Sequence, residues 1–312
     1  MEADLATAQR FVTFILNLTV AVLVGASAAH LWLRRARSTW GMEMIPRLRT
    51  AMLAVAPAAI TVHVALLWLE AASMAEVPVS QAFPAVQSVI TATHYGLAWM
   101  IGAGALLAVC LTLRAPGRKP ARGAVPLLRG AALGVFLYSR SMVSHAGAGG
   151  DFTWAVLVDW IHLVLVSIWV GEVIVAGLLT LRSQPGWESK NRAECGRFVA
   201  SLSTSATVAL AGIFVTGVLS AWRTLVSFDN ALGHPYGTLL FVKVGLVLCS
   251  AALGGINRFV VMPRLLAQLR MPKPDPVAGR RFARILQLEA CILVGALVAA
   301  AFLSSTPPPT AA

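Results

Sequence analysis

Charge is what this chain has least of. Only 12% of its 312 residues are Asp, Glu, Lys or Arg, about half the share in an ordinary soluble domain. That argues against a water-soluble fold. The four cysteines, Cys110, Cys195, Cys249 and Cys291, show no CxxC spacing. Neither a zinc ribbon nor a disulfide framework is indicated, and a cysteine in an apolar helix acts as a small hydrophobe. No apolar run alternates with a period of two, which argues against a β-barrel. No HExxH or GxSxG phrase occurs, and no nucleophile–base pair sits in an apolar segment, so no enzyme is expected. The opening MEADLATAQR is acidic and lacks a basic n-region, which argues against a cleaved signal peptide. No sequence repeat and no soluble domain are visible.

What the chain has is long apolar runs. Hydrophobic residues make up 58% of it, in eight runs near 8–33, 50–74, 83–113, 124–146, 152–181, 197–223, 236–262 and 283–305. A helix of about 20 apolar residues spans a bilayer core. The expectation is an all-α polytopic membrane protein, a bundle of eight transmembrane helices. Its net charge of +12 is unevenly placed: 20 of the 25 Lys and Arg fall in alternate connections, and the stretches near 75–82, 147–151 and 226–235 contain none. This positive-inside pattern makes the basic loops cytoplasmic and puts both termini on the periplasmic side of a bacterial inner membrane. The charge then orients the protein and touches membrane lipid; no nucleic acid is implied. A division at the GAGG break gives an N-terminal half, 1–146, a C-terminal half, 147–306, and a disordered tail, 307–312.

Ionisable groups inside a membrane are costly and mark function by default. In the outer half, helix 2 carries His63 and Glu70, two turns apart. Helix 3 carries His94 at a similar depth. Helix 4 carries Arg140, Met142 and His145, the last two at i, i+3 and therefore expected on one face. Helix 5 follows the glycine-rich turn with Asp151, then Asp159 and His162. Lys243 lies in the outer third of helix 7. Asp159 could orient His162, or pair with Arg140 or Lys243. Nearer the cytoplasm lie His30, Glu172, Asn257, Arg258 and Glu289. Glu172 and Glu289 could form an ion-pair lock with Arg258, or the three could make an inner gate. In the outer connection, Asp229 and His234 could capture a metal.

The chemistry of the outer group narrows its ligand. Imidazole with thioether suits copper, as Cu(I) or Cu(II), with Cu(I) favoured by the thioether. Imidazole pairs across helices also suit haem iron. The candidate metal ligands are His63, His94, Met142, His145 and His162. Glu70, Asp159, Arg140 and Lys243 are their companions along the pathway.

The second half resembles the copper resistance D (CopD/PcoD) family of bacterial inner-membrane proteins. The phrases that carry the resemblance are SHAG at 144–147, DWIHLVLVSIWVG at 159–171, TGVLSAW at 216–222 and YGTLLFVKVGLVLCSAALGGINRFVVMPRL at 236–265. The first half resembles the family only in helix count and topology. The resemblance implies eight helices, copper handling, and a periplasmic copper-binding partner of the CopC type. It maps the family's histidines onto His145 and His162, and its Trp-x-Gly phrase onto Trp169 and Gly171. Glu172 stands where members often have a second glycine.

The reading that follows is copper uptake. Copper arrives at Met142 and His145, passes to His63, His94 and His162, and leaves past Glu172, Arg258 and Glu289. Two alternatives use the same residues. One is a b-type haem membrane cytochrome, strained because only His30 is available near the inner face. The other is a copper-delivery or assembly factor that transports nothing.

Overall fold

The computed structural model describes residues 2–114, 124–181, 191–224, 235–271 and 275–306. The tail and the Asp229–His234 stretch lie outside them. Among the described residues every regular element is helical. In order they are α1 (Glu2–Leu33), α2 (Thr39–Met74), α3 (Phe83–Ala92), α4 (His94–Arg114), α5 (Ala124–Met142), α6 (Trp154–Val175), α7 (Arg192–Thr224), α8 (Pro235–Ile256), α9 (Met262–Gln268) and α10 (Pro276–Ser304). Short 3-10 turns stand at Val79–Gln81 and His145–Gly149. α6 runs on into a π-helical turn, Ala176–Thr180, and a second π-helical turn, Asn257–Val261, joins α8 to α9. Long apolar runs form helices because a helix satisfies its own backbone donors and acceptors where water is absent.

Among the described residues seven helices are long and apolar enough to cross a membrane: α1, α2, α4, α6 with its π-turn, α7, α8 continued through α9, and α10. Two expected spans come out differently. The run 83–113 is two helices. Thr93 is extended (φ −120°, ψ 152°), its hydroxyl donates to Val89 O, and the same oxygen accepts from Gly96 N to start α4. Gly96 lets α4 press on the end of α3, since a Cβ there would lie 2.1 Å from Val89 O. The ten residues of α3 are too few to cross a bilayer. The run 124–146 ends as an α-helix at Met142. With Arg129 and Arg140 in its 19 residues, α5 is not among the seven.

At the basic end several helices outrun their apolar cores. α2 begins at Thr39, eleven residues before the expected start, and takes in Arg47 and Arg49. Its beginning is anchored from α7: Glu194 carboxylate oxygens accept from Arg37 N and Ser38 N, and Asn191 Oδ1 accepts from Thr39 Oγ1 and Trp40 N. Charged side chains at such ends reach past the apolar layer, so the helix need not stop where the hydrophobic run does.

α1 is the central post, packed between α2 and α6. Leu16, Val20, Leu23 and Ala26 on α1 and Val170, Val173 and Val175 on α6 are almost fully buried. The two helices cross backbone to backbone at Gly25 and Gly171. A Cβ on Gly171 would lie 1.8 Å from Ala21 O, and one on Gly25 would lie 2.0 Å from Gly171 C. Small residues permit this close approach in membrane bundles. α4 pairs with α5, α7 packs on α6, and α8 packs on α10. A cavity of about 210 Å3 lies between α7 and α8.

Candidate functional site

The expected outer residues gather at the end of the bundle that carries the GAGG turn. They form two groups rather than one. The first is built by α2, α4 and α5 around His63, which is only 2% exposed. Its ring stacks on Trp99, with centroids 5.1 Å apart and planes 10° off parallel, and meets Phe136 edge-on at 5.4 Å. His63 Nε2 lies 3.2 Å from Trp99 O, and Trp99 Nε1 donates to His63 O at 3.0 Å. A carbonyl can only accept, so Nε2 carries the proton. Nδ1 is then the bare nitrogen, buried and without a partner. Beside the ring is a cavity of about 10 Å3, lined by Tyr95, Trp99, Ser139 and Arg140. It has room for one water or a bare ion, not for a macrocycle. Arg140 lines this cavity with Tyr95 and lies within electrostatic reach of Tyr95 and of Glu70, which accepts from Gln9 Nε2 at 2.8 Å.

The second group is built by α6, α7 and α8 around His162. Its Nδ1 is 2.9 Å from Thr216 Oγ1, and that hydroxyl donates to Gly212 O at 2.7 Å. The single hydroxyl proton is thus committed to the backbone, so the oxygen accepts from His162 Nδ1–H. The lone pair sits on Nε2, which no described group bonds. Lys243 is within electrostatic reach of both His162 and Asp159. Asp159 Oδ2 accepts from Ser144 Oγ at 2.9 Å, tying the start of α6 to the turn before it. Trp160, two residues from His162, donates from the other side of α6 to Gly134 O on α5. The α5–α6 contact therefore separates His162 from the His63 group.

The remaining expected ligands sit at the rim. His94 is the first residue of α4, and half of its side chain is exposed. It pairs with Asp151 at 2.7 Å, linking the α3–α4 break to the α5–α6 turn. Tyr138 donates to Asp151 O at 2.7 Å. His145 opens the 3-10 turn and is exposed, whereas Met142 ends α5 and is 5% exposed. The i, i+3 face expected for this pair does not form, because the α-helix stops between them. Among the described residues no three His, Cys, Asp or Glu converge as a preformed metal cage.

The deeper group also rearranges the expected partnerships. Arg258 Nη1 donates to Ser203 O at 2.8 Å and to Ser203 Oγ at 2.6 Å, and its guanidinium lies over Phe259. It forms no ion pair with Glu172 or Glu289. Glu172 accepts from Ser205 Oγ at 2.7 Å, and Glu289 accepts from Trp169 Nε1 at 3.2 Å. Both carboxyls are buried. Hydroxyl and indole donors from neighbouring helices replace the expected lock.

Sequence reasoning missed Thr216, Ser144, Ser203 and Trp99. Thr216 opens the TGVLSAW phrase, so its place was marked even though its partner was not.

Two family profiles match the chain. Residues 2–154 match "Copper resistance protein D-like, N-terminal domain", and residues 196–303 match "Copper resistance protein D". The first half therefore has kinship beyond helix count, while the phrase at 159–171 falls between the matched segments. "Copper transport protein CutJ" of Bacillus subtilis is 27% identical over 173 residues, 55% of this chain. This chain covers only 29% of that protein's length. "Copper resistance protein D" of Pseudomonas syringae pv. tomato is 26% identical over 224 residues, 70% of this chain and 71% of the relative.

Proposed function

This chain belongs to the copper resistance protein D family, and on that premise we propose that it carries copper across the bacterial inner membrane, inward from the periplasm. The relative named as a copper transport protein supports the cargo. In this reading α5 makes an eighth crossing beside the seven more apolar helices, the basic connections are cytoplasmic, both ends lie outside, and the GAGG end faces the periplasm.

The observation that carries the proposal is the state of two histidines. His63 and His162 each commit one ring nitrogen to a protein oxygen and leave the other bare. Metal-ligating histidines are oriented in this way, the second nitrogen donating to a carbonyl, carboxylate or water that fixes the tautomer. Copper arrives at the rim, where exposed His145 and His94 receive it from a periplasmic protein of the CopC type. It then binds His63 Nδ1 or His162 Nε2, with Met142 supplying a soft sulfur between rim and core. Asp159 balances the Lys243 ammonium beside His162, and Arg140 is balanced in the same manner by Glu70. Glu172, Arg258 and Glu289 form the inner gate through which the ion leaves.

The test is elemental analysis for copper and iron, with an absorption spectrum, on detergent-purified wild type and His162→Ala. Copper without a Soret band, lost or halved in the variant, is the expected result. Iron with a Soret band would make the histidines haem ligands and end the proposal.

A further inference from the structure

The cavity between α7 and α8 is not used by the histidine groups. Its volume is about 210 Å3, enough for several waters. Its floor is formed by α6 and α10. Its polar lining is Glu289, Arg258, Asn257, Ser203, Thr207 and Trp169. Gly254 and Gly255 face it from α8 without side chains, and a Cβ on Gly254 would lie 3.2 Å from Glu289 Oε1. The glycines therefore leave the carboxyl uncovered on the cavity side. Glu289 is 3% exposed and has one donor, Trp169 Nε1. Asn257 donates to Phe282 O, but its Oδ1 is buried without a partner. Asn257 also opens a π-helical turn, a feature that recurs at functional sites.

These groups select among possible occupants. A hydrocarbon tail would leave a carboxyl, a guanidinium and an amide oxygen facing apolar carbon, which is costly. An anion would meet the carboxyl, while Arg258 already donates twice to Ser203. A divalent metal needs more ligands than one carboxyl and one amide, and no three metal-ligating side chains converge among the described residues. Water with an exchangeable proton fits every group. The charged groups on the packed elements are Arg258, Glu172 one turn from Trp169 on α6, and the arginines at the start of α10. α7 offers only hydroxyls at this level, and His30 of α1 lies within electrostatic reach of the cationic Arg129 and Arg49.

We propose that Glu289 is a proton-binding site that exchanges with water in this cavity, and that it gains or loses a proton as copper passes. The second clause rests on the transport reading above; the first does not. In the step, the O–H bond of the Glu289 carboxyl breaks and the proton moves to a cavity water. The carboxylate left behind keeps the Trp169 N–H and faces Arg258.

Infrared spectra of the full protein in nanodiscs, in H2O and D2O, test the site. The expected result is a protonated-carboxyl C=O band that shifts in D2O within minutes, is missing in Glu289→Gln, and returns displaced in Glu289→Asp. A spectrum of Glu289→Gln identical to wild type, or a Glu289 band that resists D2O for hours, overturns the site. Gln keeps an oxygen for the Trp169 donor, so the variant is expected to fold. Liposomes containing the protein and a pH dye, given external copper, test the coupling. Proton flux accompanying copper in wild type and lost in Glu289→Gln is expected. Copper flux without proton flux in wild type overturns the coupling. No copper flux in wild type overturns the transport reading and the coupling with it, while the infrared result still decides the site.

Discussion

Replacing Gly171 with alanine is the sharpest structural perturbation available. The added methyl carbon would lie 1.8 Å from Ala21 O and 2.8 Å from Gly25 N. A normal contact is about 3.4 Å, so α1 and α6 would have to separate by roughly 1.5 Å. No rotamer relieves this, because alanine has none and the obstacle is backbone. Separation strips contacts from Val20 and Leu23 on one side and Val170 and Val173 on the other, all within 2% of full burial. Overpacking costs about 1–3 kcal/mol, and a backbone obstacle puts this case near 3 kcal/mol. At a few degrees per kcal/mol for a chain of this size, the melting temperature in detergent should fall by roughly 5–10 °C. Gly245→Ala is the control. Nothing lies within 4 Å of its added carbon, and alanine favours the helix by about 0.5–1 kcal/mol. Scanning fluorimetry or circular dichroism gives both numbers. A Gly171→Ala protein melting within 1 °C of wild type would refute the claim that this crossing holds the bundle.

Two other outcomes follow from the site. Thr216→Val keeps the shape but removes the oxygen that receives His162 Nδ1–H; copper affinity measured by chelator competition should fall about 10–100-fold, with Thr216→Ser close to wild type. Equal affinity in Thr216→Val would remove His162 from the site. Asp151→Asn weakens a pair whose histidine is half exposed, so melting should change by less than about 1 kcal/mol equivalent, while copper capture from a donor protein slows; a large stability loss would mean the pair is a structural clamp.

The long helices were legible because a bilayer demands runs of apolar residues, and composition reports that demand directly. The break at Thr93 was not, since TATHYG holds its turn through a threonine side chain and one glycine rather than through a proline. The helix starts at Thr39 and Arg192 were hidden because arginines end an apolar run without ending a helix. Of the site, the residue types and the end of the bundle were legible. The partition into a His63 group and a His162 group was not. It depends on which side of α6 each residue occupies, and Trp160 reveals this only by its bond to Gly134. Likewise Arg258 invited pairing with carboxylates by charge alone, yet hydroxyl and carbonyl oxygens of Ser203 lay nearer.

The two π-helical turns carry a consequence for how this chain tolerates change in length. A widened turn holds one residue more than a regular turn covering the same rise, and it frees carbonyls that a regular helix would bind internally. At Ala176–Thr180 two carbonyls are taken from outside: Gln287 Nε2 donates to Gly177 O at 3.1 Å and Trp40 Nε1 to Thr180 O, at the helix end, at 3.4 Å. Losing one residue elsewhere in α6 would swing everything beyond it through about 100° and turn side chains such as Glu172 away from their donors. Losing one residue inside Asn257–Val261, which lies between two helical segments, would let that turn relax to a regular coil with α8 and α9 still in register. The join after α8 is thus a place where a single-codon deletion is absorbed locally at the cost of a few hydrogen bonds.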